Sequence, residues 1–163
     1  MAKKNSRSKN GDAPPAAPPI GLVFADCSVE TFEISNPDPA EISGIHYAIT
    51  VRRSINAATG ATSTLIISVE ISWEGHKKSK SGMLASITTN SKYQIHGLKE
   101  SGGNIEIPGW IAATMTSASV GTTRGLLLSK LANTPFANLI LPLFDLHSLL
   151  PSEITNNVAN HGV

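Results

Sequence analysis

Apolar and polar residues alternate along much of residues 20–98 with a period of two, which is typical of β-strands. The clearest example runs from Thr64 to Glu74, where only Ile66 breaks the rule. Because successive side chains point to opposite sides of a strand, this stretch has one buried face and one face in water. The predicted buried positions are Leu65, Ile67, Val69, Ile71 and Trp73.

Three other stretches have related patterns. Ile45, Tyr47, Ile49 and Val51 alternate with polar residues, as do Met83, Ala85, Ile87, Tyr93 and Ile95. In the third stretch, residues 23–34, the apolar residues change from odd to even positions, which predicts a β-bulge near Glu30 and Thr31. The apolar positions before the change are Val23, Ala25, Cys27 and Val29, and those after it are Phe32 and Ile34. We therefore predict four long antiparallel strands in sequence order.

A helix is predicted from Pro108 to about Asn133, with the proline in its first turn. Its middle, 114–125, is almost entirely Ala, Ser, Thr and Gly, which are poor helix formers on balance, so packing must hold it. The following turn, 126–131, is apolar on more than one face. One sheet covers one face of a helix, so this composition favours self-association.

The stretch 136–150 is the most apolar of the chain and is interrupted by Pro142. We expect an extended segment followed by a short helix that begins near Asp145, a good N-cap residue. The predicted organisation is a disordered basic and proline-rich tail over 1–19, one domain over 20–151 and a polar tail over 152–163.

Charge limits the classes of partner. Four basic residues against Asp12 give the first twelve residues a charge of +3, whereas the rest of the chain carries −2. Nucleic acid is therefore an unlikely partner, except for weak binding through the basic tail. No apolar run reaches the ~20 residues that span a bilayer, so we expect no membrane insertion and a cytoplasmic location.

The chain lacks the residue patterns of common catalytic and metal sites. Cys27 is the only cysteine, and the five histidines have no metal-ligand spacing. The one pair of acids on a shared strand face, Glu70 and Glu74, is predicted to be exposed. We therefore expect no enzyme activity, no metal and no cofactor.

The order of these features resembles the SecB family of bacterial protein-export chaperones over about residues 20–150. The first strand ends in Phe32-Glu33 before Asn36-Pro37-Asp38-Pro39, and the fourth closes with Tyr93-Gln94-Ile95-His96-Gly97-Leu98. Ile107-Pro108 opens the helix, Arg124-Gly125 lies near its end, and Pro135 precedes Leu139-Ile140-Leu141-Pro142-Leu143-Phe144-Asp145.

The resemblance implies an α+β fold, with a four-stranded antiparallel sheet that packs against one long helix and a short C-terminal helix. It also implies a homotetramer, a dimer of dimers with the long helices between two sheets. Its function would be that of a holdase, which binds unfolded client polypeptides in apolar grooves without ATP. The candidate peptide-binding residues are Tyr93, Trp110, Leu127, Leu128, Phe136, Leu139, Leu143, Phe144, Leu146 and Leu149.

The chain departs from the family in two respects. Pro151 shortens the last helix, and the body lacks the strongly acidic surface that docks on the translocase motor. The resemblance therefore supports chaperone-type binding more strongly than export with the translocase motor as a partner. An adaptor for a single partner in a toxin–antitoxin or phage system, and an oligomeric structural protein, are the alternatives.

Overall fold

The fold is that of a computed structural model, which describes residues 19–56, 61–76, 80–98, 100–101, 104–139 and 141–142. The elements in chain order are β1 (Gly21–Ile34), a 3-10 turn (Pro39–Glu41), β2 (Ile42–Asn56), β3 (Thr62–Gly75), β4 (Ser81–His96), β5 (Glu100–Ser101), β6 (Asn104–Ile105) and α1 (Gly109–Leu131). The predicted α+β class is confirmed: four long antiparallel strands pack against one long helix.

The order of the strands in the sheet is β1-β4-β3-β2. Spatial order therefore differs from sequence order, because β1 pairs with β4 and not with β2. The central strands β3 and β4 lie under α1, and β1 and β2 form the two edges.

The alternation in β3 holds along its length. Leu65, Ile67, Val69 and Ile71 are buried on the helix side, and Trp73 is partly buried. In β4 the register shifts at Leu84, which lets the consecutive residues Leu84 and Ala85 both be buried.

The predicted bulge in β1 is present, because the pairing with β4 skips Glu30 between Val29 and Thr31. A second shift, at Ala25, was not predicted. It places Phe24 opposite Tyr93 and on the helix side, where the two rings meet edge to face with centroids 5.3 Å apart. The prediction that Val23 shares a face with Cys27 is therefore wrong, since the unpaired residue between them reverses the parity.

The helix begins one residue later than predicted. Pro108 occupies the N-cap position with extended backbone angles, and its carbonyl accepts the N–H groups of Ile111 and Ala112 at 2.9 and 3.2 Å. A proline has no N–H to leave unpaired at this end.

After the helix, residues 131–139 form consecutive turns rather than the extended segment predicted from Phe136. Each turn closes between residues three apart: Thr134 to Leu131, Ala137 to Thr134 and Leu139 to Phe136. The turns fold Phe136, Leu139 and Leu141 back onto the core beside Leu127 and Leu131. The short helix predicted near Asp145 and both predicted tails, apart from Pro19, lie outside the described residues.

Candidate polypeptide-binding surface

An apolar stripe runs along the helix side of edge strand β2. Its members are Ile45, Tyr47, Ile49, Val51 and Ile55, and all are only partly buried, whereas most of their partners on β3 are fully buried. The cause is the position of α1, which packs mainly on β3 and β4. We call these five residues the β2 stripe.

The backbone edge beside this stripe is long and regular. From Gly44 to Asn56 the pairing of β2 with β3 continues without a shift. No strand in the described part of the chain pairs with the other side of β2. Edge strand β1 differs, because its two bulges interrupt the row of backbone groups that another strand would need.

Four large apolar side chains are exposed among the described residues. Val23, Phe24 and Ile34 on β1 expose 47%, 49% and 39% of their surface, and Trp110 in the first turn of α1 exposes 59%. They lie apart from the β2 stripe, on the other sheet edge and on the helix.

One row of small residues at a spacing of four runs along the outward face of α1, beside the exposed Trp110 and the half-buried Leu128. The row consists of Ala113, Ser117, Gly121, Gly125 and Ser129. A Cβ atom added at Gly121 or Gly125 would meet no atom within 4 Å. This face is therefore open and shallow, and another helix could approach its backbone closely.

The inward face of α1 carries buried hydroxyl groups that meet hydroxyl groups of β4. The Tyr93 phenol donates to the carbonyl of Met115 at 3.0 Å and lies 2.8 Å from Ser119 Oγ. Thr123 Oγ1 donates to the carbonyl of Ser119, so it accepts the hydrogen of Thr89 at 2.6 Å. Burial raises the pKa of the Tyr93 phenol and outweighs the opposing effect of the Ser119 hydrogen bond.

These hydroxyl groups lie between the two halves of the core. One apolar cluster surrounds Ile71, Ile87 and Leu127, and the other surrounds Leu65, Ile95 and Ile111. Ser91 adds a weaker contact between its Oγ and the sulfur of the half-buried Cys27, at 3.5 Å. Some Ser and Thr residues of α1 therefore form hydrogen bonds to the sheet, and others lie on the outward face of the helix.

The structure places the predicted peptide-binding residues in three groups. Tyr93, Leu127, Phe136 and Leu139 are buried in the chain's own core, so their peptide-binding role is not supported by their position. Trp110 is exposed and Leu128 is half-buried, both on α1. Leu143, Phe144, Leu146 and Leu149 lie outside the described residues.

The prediction missed Arg53, which occupies the helix side of β2 between Val51 and Ile55. It is half-buried, and burial lowers the pKa of its guanidinium. The alternation Ile45, Tyr47, Ile49, Val51 continues to position 53, so the sequence does carry the signal. Arg52, its neighbour, is exposed on the opposite face.

The predicted acid pair lies where it was expected, on the outer face of the sheet. Glu70 and Glu74 are both exposed, and Glu74 Oε2 lies 3.6 Å from His46 Nε2. No group of three potential metal ligands occurs within the described ranges.

A comparison with solved structures finds a SecB-like chaperone of Mycobacterium tuberculosis in complex with a ChAD peptide from the HigA1 antitoxin. The match covers 76% of this chain and 85% of that chain, with a TM-score of 0.49 and 11% sequence identity. No protein-family model matches the chain, and no curated protein matches it. Similarity at this level carries no information about function, which must be inferred from the surfaces described above.

Within the part of the chain that the structure describes, no helix combines the length and the apolar character needed to cross a bilayer.

Proposed function

We propose that this chain is a molecular chaperone of the holdase type, which keeps non-native polypeptides from aggregating without ATP and without catalysis. In this proposal it works in the cytoplasm as a homotetramer, and an extended client segment binds along β2. The observation that carries the proposal is the combination of a regular edge strand, beside which the described residues place no further strand, with a half-covered apolar stripe on the same strand.

Both halves of that observation suit a client of variable sequence. Backbone N–H and C=O groups on a strand edge can pair with any extended peptide except at proline. Alternate side chains of the added strand would then lie over the β2 stripe and complete the burial of its five residues. Burying apolar surface contributes about 25 cal/mol per Å², whichever apolar side chain supplies it.

Suppression of aggregation tests the proposal. The protein is added without nucleotide to a chemically denatured enzyme that aggregates on dilution, and light scattering is followed. We expect suppression that saturates near one client per assembled particle. No suppression at a severalfold excess of protein would refute the holdase proposal, and capture of a single folded partner would support the adaptor alternative instead.

Two variants locate the binding surface. Ile49→Lys places a charge in the β2 stripe, whereas Thr50→Lys places the same charge on the exposed outer face one residue away. We expect Ile49→Lys to weaken client binding about fivefold or more, and Thr50→Lys to change it little. Ile49→Thr, which keeps a β-branched side chain, guards against loss of folding, and circular dichroism checks all three.

The outward face of α1 supports the proposed self-association. Small residues at a spacing of four let a second helix pack at short range, and the open space at Gly121 and Gly125 is consistent with such a contact. Light scattering should give the mass of four chains. Gly121→Leu should lower this mass, and Thr50→Leu on the outer sheet face should leave it unchanged. A mass that keeps growing with protein concentration would favour the alternative of a structural protein that forms an open assembly.

A further inference from the structure

Arg53 is the one charged side chain on the helix side of β2 in the described part of the chain. Its Cα partner on β3 is the buried Leu65, and its neighbours on the same face of β2 are Val51 and Ile55. Each of these surroundings is apolar, so the guanidinium lies at an apolar surface that only partly excludes water.

No acidic side chain among the described residues offsets this burial. The ion pairs there join His46 to Glu74 and Lys80 to Glu41, at the opposite end of the sheet from Arg53. Burial is also the cause that lowers the pKa of the Arg53 guanidinium. A guanidinium in this position gains when an anion is brought to it, because five N–H donors are held in a fixed fork.

We propose that Arg53 binds a carboxylate of the polypeptide docked along β2, so that extended apolar segments containing one Asp or Glu are the preferred ligands. This inference rests on the proposed function, and it adds the class of client. An added strand directs every second side chain toward the helix side, so the carboxylate would sit at one of these positions with apolar residues two places before and after it. Those apolar residues would lie over Val51 and Ile55.

The choice of arginine fits this role. A carboxylate accepts two parallel N–H bonds from a guanidinium, which fixes its position as well as its charge. The preference is a difference in affinity between clients, and it leaves the binding of neutral apolar segments in place.

The test uses short synthetic peptides with apolar residues at alternate positions, and measures their affinity by fluorescence anisotropy. One inward-facing position at a time carries Asp, Asn or Lys. We expect one position at which the Asp peptide binds about three- to tenfold more tightly than the Asn peptide, as is typical of a partly desolvated charge pair, and at which the Lys peptide binds most weakly. Added salt should reduce the difference.

Arg53→Gln should abolish the preference for Asp, Arg53→Lys should keep part of it, and Arg53→Glu should reverse it toward Lys. Arg52→Gln is the matched control, because it removes the same charge from the other face of the same strand and should leave the preference intact. Equal loss in the Arg52 and Arg53 variants would overturn the proposal, since a general electrostatic effect would then explain it.

Two further results would contradict the proposed role of Arg53, and they separate its failure from the failure of the proposed function. If the Asn, Asp and Lys peptides bind equally well, the proposed function stands and the role of Arg53 is refuted; if none binds, the proposed function itself fails.

Discussion

The contact between Tyr93 and Ser119 allows a quantitative test of how the helix is held on the sheet. Tyr93 is 1% exposed, and its phenol takes part in two hydrogen bonds, to the Met115 carbonyl at 3.0 Å and to Ser119 Oγ at 2.8 Å. Because the phenol donates to Met115, the Ser119 hydroxyl donates to the phenol. Tyr93→Phe therefore removes one donor and one acceptor, and it keeps the ring contact with Phe24.

The expected costs follow from the number of bonds lost. A buried hydrogen bond contributes about 1 kcal/mol net, so Tyr93→Phe should lower the free energy of unfolding by about 2 kcal/mol. Ser119→Ala removes one of these bonds and should cost about 1 kcal/mol. The double variant should cost about 2 kcal/mol instead of 3, because the shared bond is counted once, which gives a coupling of about 1 kcal/mol.

Urea unfolding at fixed protein concentration measures all four proteins, since any self-association makes stability depend on concentration. The Tyr93→Phe melting temperature should fall by roughly 5 °C. Additive effects of the two substitutions would refute the proposed bond between the side chains. A neutral Tyr93→Phe would refute the burial of a satisfied phenol at this position.

Three further outcomes are expected. Because burial raises the pKa of the Tyr93 phenol from 10.0, the folded state holds this proton more tightly than the unfolded state does. The contribution of Tyr93 to stability should therefore be constant below about pH 10 and decrease above it, so that above pH 10 stability should fall less steeply in Tyr93→Phe than in the parent protein, as urea titrations at several pH values would show. Gly97→Ala should destabilise the protein by about 1 kcal/mol or more in thermal unfolding. The reason is that Gly97 has φ +77°, and that a Cβ atom there would lie 2.9 Å from the Pro19 carbonyl oxygen. Gly44→Ala is the control, because a Cβ atom at Gly44 would meet no atom closer than 3.8 Å. Gly121→Ala should stabilise the protein by about 0.5–1 kcal/mol through helix propensity at dilutions where single chains predominate, and should destabilise it at concentrations where the proposed helix contact forms. Stabilisation at every concentration would refute a close helix contact at this glycine.

The regular parts of the fold could be predicted from local patterns. The alternation in 64–74 is strict enough to identify β3 and its buried face, and Pro108 marks the helix start to within one residue. The change of parity near Glu30 predicts the bulge there, because apolar residues stand on both sides of it.

The parts that could not be predicted depend on contacts between distant residues. The pairing of β1 with β4 joins Gly21 to His96, and no local pattern distinguishes it from a pairing with β2. The bulge at Ala25 was hidden because Val23, Phe24 and Ala25 are all apolar, so no polar residue marks the change of face. The same limit applies to burial: Phe136 and Leu139 have the composition of a binding surface, and only the turns that follow α1 direct them into the core.

Two surfaces among the described residues, the row of small residues on α1 and the edge strand β2, suit different kinds of contact. The row of small residues on α1 presents little apolar area, so a ligand gains little there unless its own backbone comes close along several turns. Only a regular partner of fixed sequence, such as the same helix in another copy, meets that requirement. Strand β2 offers backbone groups that pair without regard to sequence, and its stripe accepts apolar side chains of several shapes. Assembly and client binding should therefore be separable, with Gly121→Leu changing the mass and Ile49→Lys changing client affinity.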